Sequence, residues 1–207
     1  ASYRRQRQMC IRDRMNTGQE NAGIDELLNA FSEKLILYQD ANYAKSYRKI
    51  MDAISAQFGD TIISQKSAKA LFRAMAIKDE YEVARLMLSP TFEQTLKSKF
   101  GNSRPSSYYL APPFLSFLKD ANGFPRKVRF GSWVRTIFWV LTKLKSLRGT
   151  AFDPFAHSRE RKLEVSFRAA LIAKLSNPKK LMQMPEELEA QLDAALKVKG
   201  YGHVKQK

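Results

Sequence analysis

Apolar residues recur every three or four positions along most of the chain, which is the spacing of amphipathic helices. In the first of these segments, Leu27, Leu28, Phe31 and Leu35 fall on one helical face. Segments with this spacing cover residues 24–38, 41–54, 64–75, 78–88, 92–100, 133–147, 158–175 and 186–196. The pattern therefore predicts a mainly α-helical protein.

One stretch departs from helical spacing and is typical of β-structure. An aromatic and aliphatic run at Tyr108-Tyr109-Leu110 ends at two prolines, and Lys127-Val128-Arg129-Phe130 alternates charged and apolar residues. These features predict a small two-stranded β-ribbon within residues 107–131, supported by the helices. We expect a polar loop at 15–23 and a single helical domain over residues 24–205.

The connection Leu147–Arg161 contains two phenylalanines, although connections are usually polar. We predict that Phe152 and Phe155 are buried and that residues 133–147 form the central buried helix. Asp153 precedes Pro154, and the pattern favours a turn-capping role over a catalytic one. The spacing of Tyr38, Tyr43 and Tyr47 favours core or rim positions over a stacking platform for bases.

The chain is strongly basic, with a formal charge of +16 and a pI of about 10. Lysine and arginine are scattered among the helices, which favours solvated basic faces over a nucleic-acid groove. A free-standing basic helical protein that binds nucleic acid is the alternative. The single cysteine, Cys10, fits a reducing compartment, and a cytoplasmic location is expected. No apolar run approaches the length of a transmembrane helix, so we expect no membrane partner.

The two ends of the sequence carry separate expectations. Residues 1–14 contain five arginines and resemble translated sequencing-adaptor DNA at the end of a metagenomic reading frame. We expect an artefact, and the alternative is a basic targeting or nucleic-acid arm. Without this segment the formal charge is +12. The final Gly-Tyr-Gly-His segment around His203 is predicted to be cut short, so the sequence is expected to be a fragment.

The sequence holds few signals of chemistry. It has no dinucleotide-binding glycine motif, no P-loop, no His-Glu-x-x-His and no nucleophile elbow. Glu82 and Arg85 are three residues apart on a predicted helix, which indicates either a surface ion pair or an interface patch. An enzyme site formed by Arg148, Asp153 and His157 is a third hypothesis, against which a structural role is favoured.

An ordered set of short motifs gives the sequence a family resemblance. The set is Tyr38-Gln39-Asp40-Ala41-x-Tyr43-Ala44, Lys78-Asp79-Glu80-Tyr81-Glu82-Val83-Ala84-Arg85-Leu86, Leu110-Ala111-Pro112-Pro113, Pro125-Arg126-Lys127, Phe130-Gly131-x-Trp133, Leu144-Lys145-x-Leu147-Arg148-Gly149-Thr150, Phe152-Asp153-Pro154-Phe155, Glu160-Arg161 and Gly200-Tyr201-Gly202-His203-Val204-Lys205. This order resembles the C-terminal region of the fused indolepyruvate ferredoxin oxidoreductases, which belong to the 2-oxoacid:ferredoxin oxidoreductases.

The resemblance implies a parent enzyme that decarboxylates a 2-oxoacid oxidatively to an acyl-CoA and passes electrons to ferredoxin. The parent uses thiamine diphosphate and iron–sulfur clusters, whose sites belong to other domains, so no catalytic, cofactor or metal residue is assigned here. The expected role is that of a non-catalytic structural or interdomain region, with the other domains and acidic ferredoxin as partners. The interface or family-signature residues are Glu80, Tyr81, Arg85, Arg126, Lys127, Arg148, Asp153 and His203.

Overall fold

A computed structural model describes residues 23–101, 107–111, 126–183 and 185–197. The predicted artefact at residues 1–14 and the candidate residue His203 lie outside this part of the chain. The elements are α1 (Ile24–Tyr38), α2 (Ala41–Phe58), α3 (Ile62–Met75), α4 (Glu80–Met87), α5 (Pro90–Phe100), β1 (Ser107–Leu110), β2 (Val128–Gly131), α6 (Val134–Lys143), a 3₁₀ turn (Leu144–Leu147), α7 (Arg159–Leu175), α8 (Pro178–Leu181) and α9 (Pro185–Lys197). The prediction of a mainly α-helical fold with a small β-ribbon is confirmed.

The chain divides into two compact units. Of the described residues, those between 78 and 158 form the middle unit, and those of 23–77 together with 159–197 form the two-segment unit. Each unit has its own cluster of buried apolar side chains. The sequence pattern had indicated one helical domain over residues 24–205, because helical periodicity continues across both junctions.

The two-segment unit packs α1, α2 and α3 against one another, with α7 and α9 against α3. Phe31 of α1 and Phe72 of α3 are stacked with ring centroids 4.2 Å apart, and both are buried. Tyr38 and Tyr47 are also buried, while Tyr43 is half-buried. The prediction that these tyrosines occupy core or rim positions is therefore confirmed.

The two segments of this unit are also joined by polar contacts. Lys66 of α3 forms ion pairs with Glu189 at 2.7 Å and Asp193 at 2.8 Å, both on α9. Arg73 donates a hydrogen bond of 2.7 Å to the carbonyl oxygen of Leu196. These contacts fix the end of the described chain on a helix that lies more than a hundred residues earlier in sequence.

The middle unit is built around α4, α6 and the β-ribbon. The strands are antiparallel, with Tyr108 opposite Phe130. The ring of Tyr108 makes an edge contact with Phe138 of α6, with ring centroids 5.5 Å apart. The ribbon is therefore supported by a helix, as predicted, and its residue Tyr108 belongs to the apolar cluster of this unit.

The prediction that residues 133–147 form a central buried helix is wrong. Only Val134 and Phe138 of α6 are buried. Five other large apolar side chains of this segment are exposed, namely those of Trp133, Ile137, Trp139, Val140 and Leu144. The physical reason is that one face of α6 packs on α4, which has only eight residues.

Among the residues that the structure describes, no helix is both long enough and apolar enough to cross a lipid bilayer.

Candidate functional site: a buried charged cluster in the middle unit

The cluster begins with a tight turn after the 3₁₀ helix. Gly149 has a φ of 74°, a left-handed conformation that strains residues with a side chain. Asp153 accepts hydrogen bonds of 3.0 Å from the backbone N–H groups of Gly149 and Phe155. Its side chain is buried and folds the connection back on itself. The predicted turn-capping role of Asp153 is confirmed.

The same turn places Arg148 against Asp79, which lies 69 residues earlier. The guanidinium group donates through Nε to Oδ2 and through Nη2 to Oδ1, the second at 3.0 Å. Asp79 also caps α4, because its Oδ1 accepts the N–H of Glu82 at 2.7 Å. Asp79 is only 2% exposed, so it forms a buried, bidentate ion pair with Arg148.

Tyr81 connects the ion pair to the turn. Its hydroxyl donates a hydrogen bond of 3.1 Å to Oδ1 of Asp153. The guanidinium carbon of Arg148 lies 5.3 Å from the centroid of the Tyr81 ring, which is a cation–π contact. The Tyr81 and Phe155 rings are also in T-shaped contact, with centroids 5.4 Å apart. Burial, followed by the negative charge of Asp153, raises the pKa of the Tyr81 hydroxyl above its ordinary value.

Glu82 and Arg85 form a second ion pair on α4. Nε of Arg85 donates to Oε2 of Glu82, and Nη2 donates to Oε1, each at 2.8 Å. The predicted contact is confirmed, and of the two alternatives a surface ion pair is excluded, because Glu82 is 3% exposed. Burial lowers the pKa of Arg85, but the hydrogen bonds and charge of Glu82 outweigh it and raise that pKa.

The structure brings some predicted site residues together and separates others. Tyr81, Arg148 and Asp153 form one network, while Glu80 begins the same helix and is half-buried. Arg126 and Lys127 are exposed residues just before β2. Arg85 lies on α4, the same helix as Tyr81, and it forms an ion pair with Glu82.

The conformation of the connection also corrects one core prediction. Phe155 is half-buried against Tyr81, so the prediction that it is buried holds only in part. Phe152 is 82% exposed, so the prediction that it is buried is wrong. The backbone N–H of Phe152 bonds to the hydroxyl of Thr150, and the tight turn directs the side chain outward.

Sequence reasoning missed Asp79 as the partner of Arg148. A cap signal was present, since an aspartate at the start of a helix commonly accepts the N–H three residues later. Nothing in the local pattern points to an arginine 69 residues away. The buried state of Glu82 was also missed, because i,i+3 ion pairs are usually solvent-exposed.

Chemically, the arrangement stabilises the fold of the middle unit. Both carboxylate oxygens of Asp153 accept protein donors, as do both oxygens of Asp79. His157, the third member of the hypothesised enzyme site, is exposed. Within the described ranges, no group of three or more histidine, cysteine, aspartate or glutamate side chains is arranged to hold a metal ion.

We expect Tyr81→Phe to lower the stability of the middle unit by about 1–2 kcal/mol at neutral pH, because a buried acceptor loses one donor. The pKa of Tyr81 is raised in the folded state and is about 10 in an unfolded chain. Its stabilising effect is therefore complete below about pH 10 and is lost as the pH rises further. The free energy of unfolding, measured with urea and tryptophan emission, should fall less steeply above about pH 10 in the variant than in the unaltered protein. An equally steep fall in both proteins would contradict the expectation.

These features define a class of protein: a mainly helical chain of two units, with a buried charged cluster engaged in its own fold. The family model described as "Family of unknown function (DUF6537)" matches residues 24–207, and the chain belongs to this family. No curated protein and no solved structure matches the chain.

Proposed function

We propose that the chain is a non-catalytic structural or interdomain region of a 2-oxoacid:ferredoxin oxidoreductase of the indolepyruvate type. The observation that carries the proposal is the exposure of large apolar side chains on both units. In the middle unit these include Trp133, Trp139 and Phe152, and on α7 they include Leu163 and Phe167. Exposed apolar patches mark protein interaction surfaces.

The buried cluster supports the same role. The side chains with the strongest chemistry, Asp79, Arg148 and Asp153, are committed to one another and to backbone groups. A catalytic acid or base must instead reach a substrate proton. The cluster therefore supports a region that presents a surface, with its charges holding that surface in place.

The resemblance of the ordered motifs supplies the parent enzyme. Its reaction, oxidative decarboxylation of a 2-oxoacid to an acyl-CoA, would take place in the domains that bind thiamine diphosphate and iron–sulfur clusters. The partners of this region would be those domains of the same enzyme. Arg126, Lys127 and Arg129 are exposed at β2 and add a basic surface that favours encounters with acidic ferredoxin.

The proposal is tested by removing residues 24–207 from the parent enzyme and measuring its assembly and its rate of ferredoxin reduction at several salt concentrations. We expect loss of assembly, or a ferredoxin reduction rate that depends less on salt. A matched variant with Arg126, Lys127 and Arg129 changed to glutamine separates the two effects, because it keeps the apolar surfaces. Unchanged assembly together with unchanged salt dependence after the deletion would refute the proposed function.

A further inference from the structure

Four exposed apolar side chains lie in one row along α6 and its two flanking residues. Trp133, Ile137, Val140 and Leu144 are spaced at i, i+4, i+7 and i+11, which places them on one helical face. We call these four residues the α6 stripe. Each is between 40% and 59% exposed, whereas Val134 and Phe138 on another face are buried.

The row has the spacing and width of a helix-packing seam. Side chains three and four residues apart form a narrow ridge, and such ridges pack into the grooves of a second helix. The opposite side of α6 is anchored by Phe138 against Tyr108 of the ribbon. The stripe is therefore held on a supported helix, which lowers the conformational cost of docking a partner.

The segment that contains the α6 stripe is basic in sequence, although two of its cations, Arg135 and Arg148, pair with Glu93 and Asp79. From residue 121 to residue 152 the sequence contains seven lysines and arginines and no aspartate or glutamate. Lys143 lies 5.8 Å from the centroid of the Trp139 ring. On the neighbouring helices, Glu82 pairs with Arg85 and Glu93 pairs with Arg135.

The described residues of the middle unit carry eleven basic and five acidic side chains. An apolar seam in a basic setting is complementary to an apolar seam in an acidic one. We propose that the α6 stripe docks an amphipathic helix of a catalytic domain, one whose apolar seam is flanked by aspartate and glutamate. The proposal rests on the proposed function and names the partner chemistry through which the region packs.

Two other occupants are less well matched to these observations. A second copy of this chain would bring two basic surfaces together, and like charges across an interface oppose association. A lipid surface is bound by a broad apolar face that enters the interface as a plane. The α6 stripe is a single row, which fits the groove of a helix better.

The protein supplies its own probe, because its two tryptophans are Trp133 on the stripe and Trp139 on the same helix. The full chain is titrated with a synthetic helical peptide of about 20 residues that carries leucine at its seam and glutamate at the flanks. In two further titrations, the chain is mixed with a matched peptide that has lysine in place of the flanking glutamates, or with vesicles of anionic phospholipid. We expect a blue shift of tryptophan emission with the glutamate peptide and an affinity at least about tenfold lower for the lysine peptide.

Variants locate the binding on the α6 stripe. Ile137→Ser should lower the affinity for the glutamate peptide by about tenfold, because it removes apolar area at the middle of the row. Lys143→Glu, an exposed change that leaves the apolar side chains in place, should reduce the preference for the glutamate peptide. Leu37→Ser removes another exposed apolar side chain, from α1, and should leave binding unchanged.

Four results would each overturn the inference. They are no emission shift at about 1 mM glutamate peptide, equal affinity for the two peptides, a shift with vesicles alone, and self-association that Ile137→Ser abolishes. These outcomes are separable from failure of the proposed function. Suppose that the enzyme loses assembly when the region is deleted, but the isolated region does not bind the glutamate peptide. This result would support the proposed function and contradict docking at the α6 stripe.

Discussion

Replacing Arg148 with methionine is expected to destabilise the middle unit by about 3–5 kcal/mol, because it leaves the buried Asp79 carboxylate without its partner. Asp79 is 2% exposed and cannot turn to water without opening the start of α4. The substitution also removes the cation that lies over the ring of Tyr81. Urea unfolding followed by tryptophan emission measures this unit, because Trp133 and Trp139 both belong to it.

The Arg148 prediction has an internal control in a more exposed ion pair. Arg135 pairs with Glu93 at 2.6 Å in the same unit, but the side chains are 31% and 45% exposed. Arg135→Met should therefore cost no more than about 1 kcal/mol. The double variant Asp79→Asn, Arg148→Met should recover part of the loss, because asparagine can still cap α4 and no charge remains unpaired. Equal effects of Arg148→Met and Arg135→Met would contradict the account.

Replacing Phe72 with alanine is expected to destabilise the two-segment unit by about 3–5 kcal/mol. The Phe72 ring is buried and stacked on Phe31, so its removal leaves a cavity between α1 and α3. Hydrogen exchange of the backbone amides in α1 and α3 measures the change in this unit. Leu37→Ala, at an exposed position of α1, should change stability by no more than about 0.5 kcal/mol. If Phe72→Ala lowered the free energy of unfolding by less than about 1 kcal/mol, the stacked pair would not be a main source of stability in this core.

Much of the fold follows from local patterns in the sequence. Helical spacing marks the residues that α1 buries, including Leu27, Leu28, Phe31 and Leu35. Alternation at residues 127–130 marks β2, and the proline and acids at residues 185–187 mark the start of α9. These signals succeed because each concerns residues within a few positions of one another.

The exposure of α6 could not be predicted from its own sequence. A segment with apolar residues on several faces is typical of a buried helix. Burial also needs a partner for each face, and α6 packs on the eight-residue helix α4 and, through Phe138, on the β-ribbon. The apolar residues that α4 leaves uncovered, Ile137 and Val140 among them, are the ones that the structure exposes.

The candidate site was predictable only in part. The sequence motifs mark Arg148, Tyr81 and Asp153 as family-signature residues, and the turn pattern marks Asp153 as a turn residue, but their contacts depend on the tertiary fold. The pairing of Arg148 with Asp79 spans 69 residues, and nothing in the local pattern of either residue identifies the other. Burial converts Asp79 and Glu82 from ordinary surface acids into members of a charged cluster that is costly to disrupt.

The central proposal, that this region packs through the α6 stripe on the catalytic domains of a larger enzyme, is tested most directly at Trp133. Hydroxyl-radical oxidation, read residue by residue by mass spectrometry, compares Trp133 in the chain alone with Trp133 in the assembled parent enzyme. Phe100, which is 57% exposed on α5, serves as a reference side chain outside the α6 stripe. The account predicts that Trp133 is oxidised at least about tenfold more slowly in the enzyme, because a docked helix excludes water from the stripe. Equal oxidation of Trp133 in both samples would contradict it.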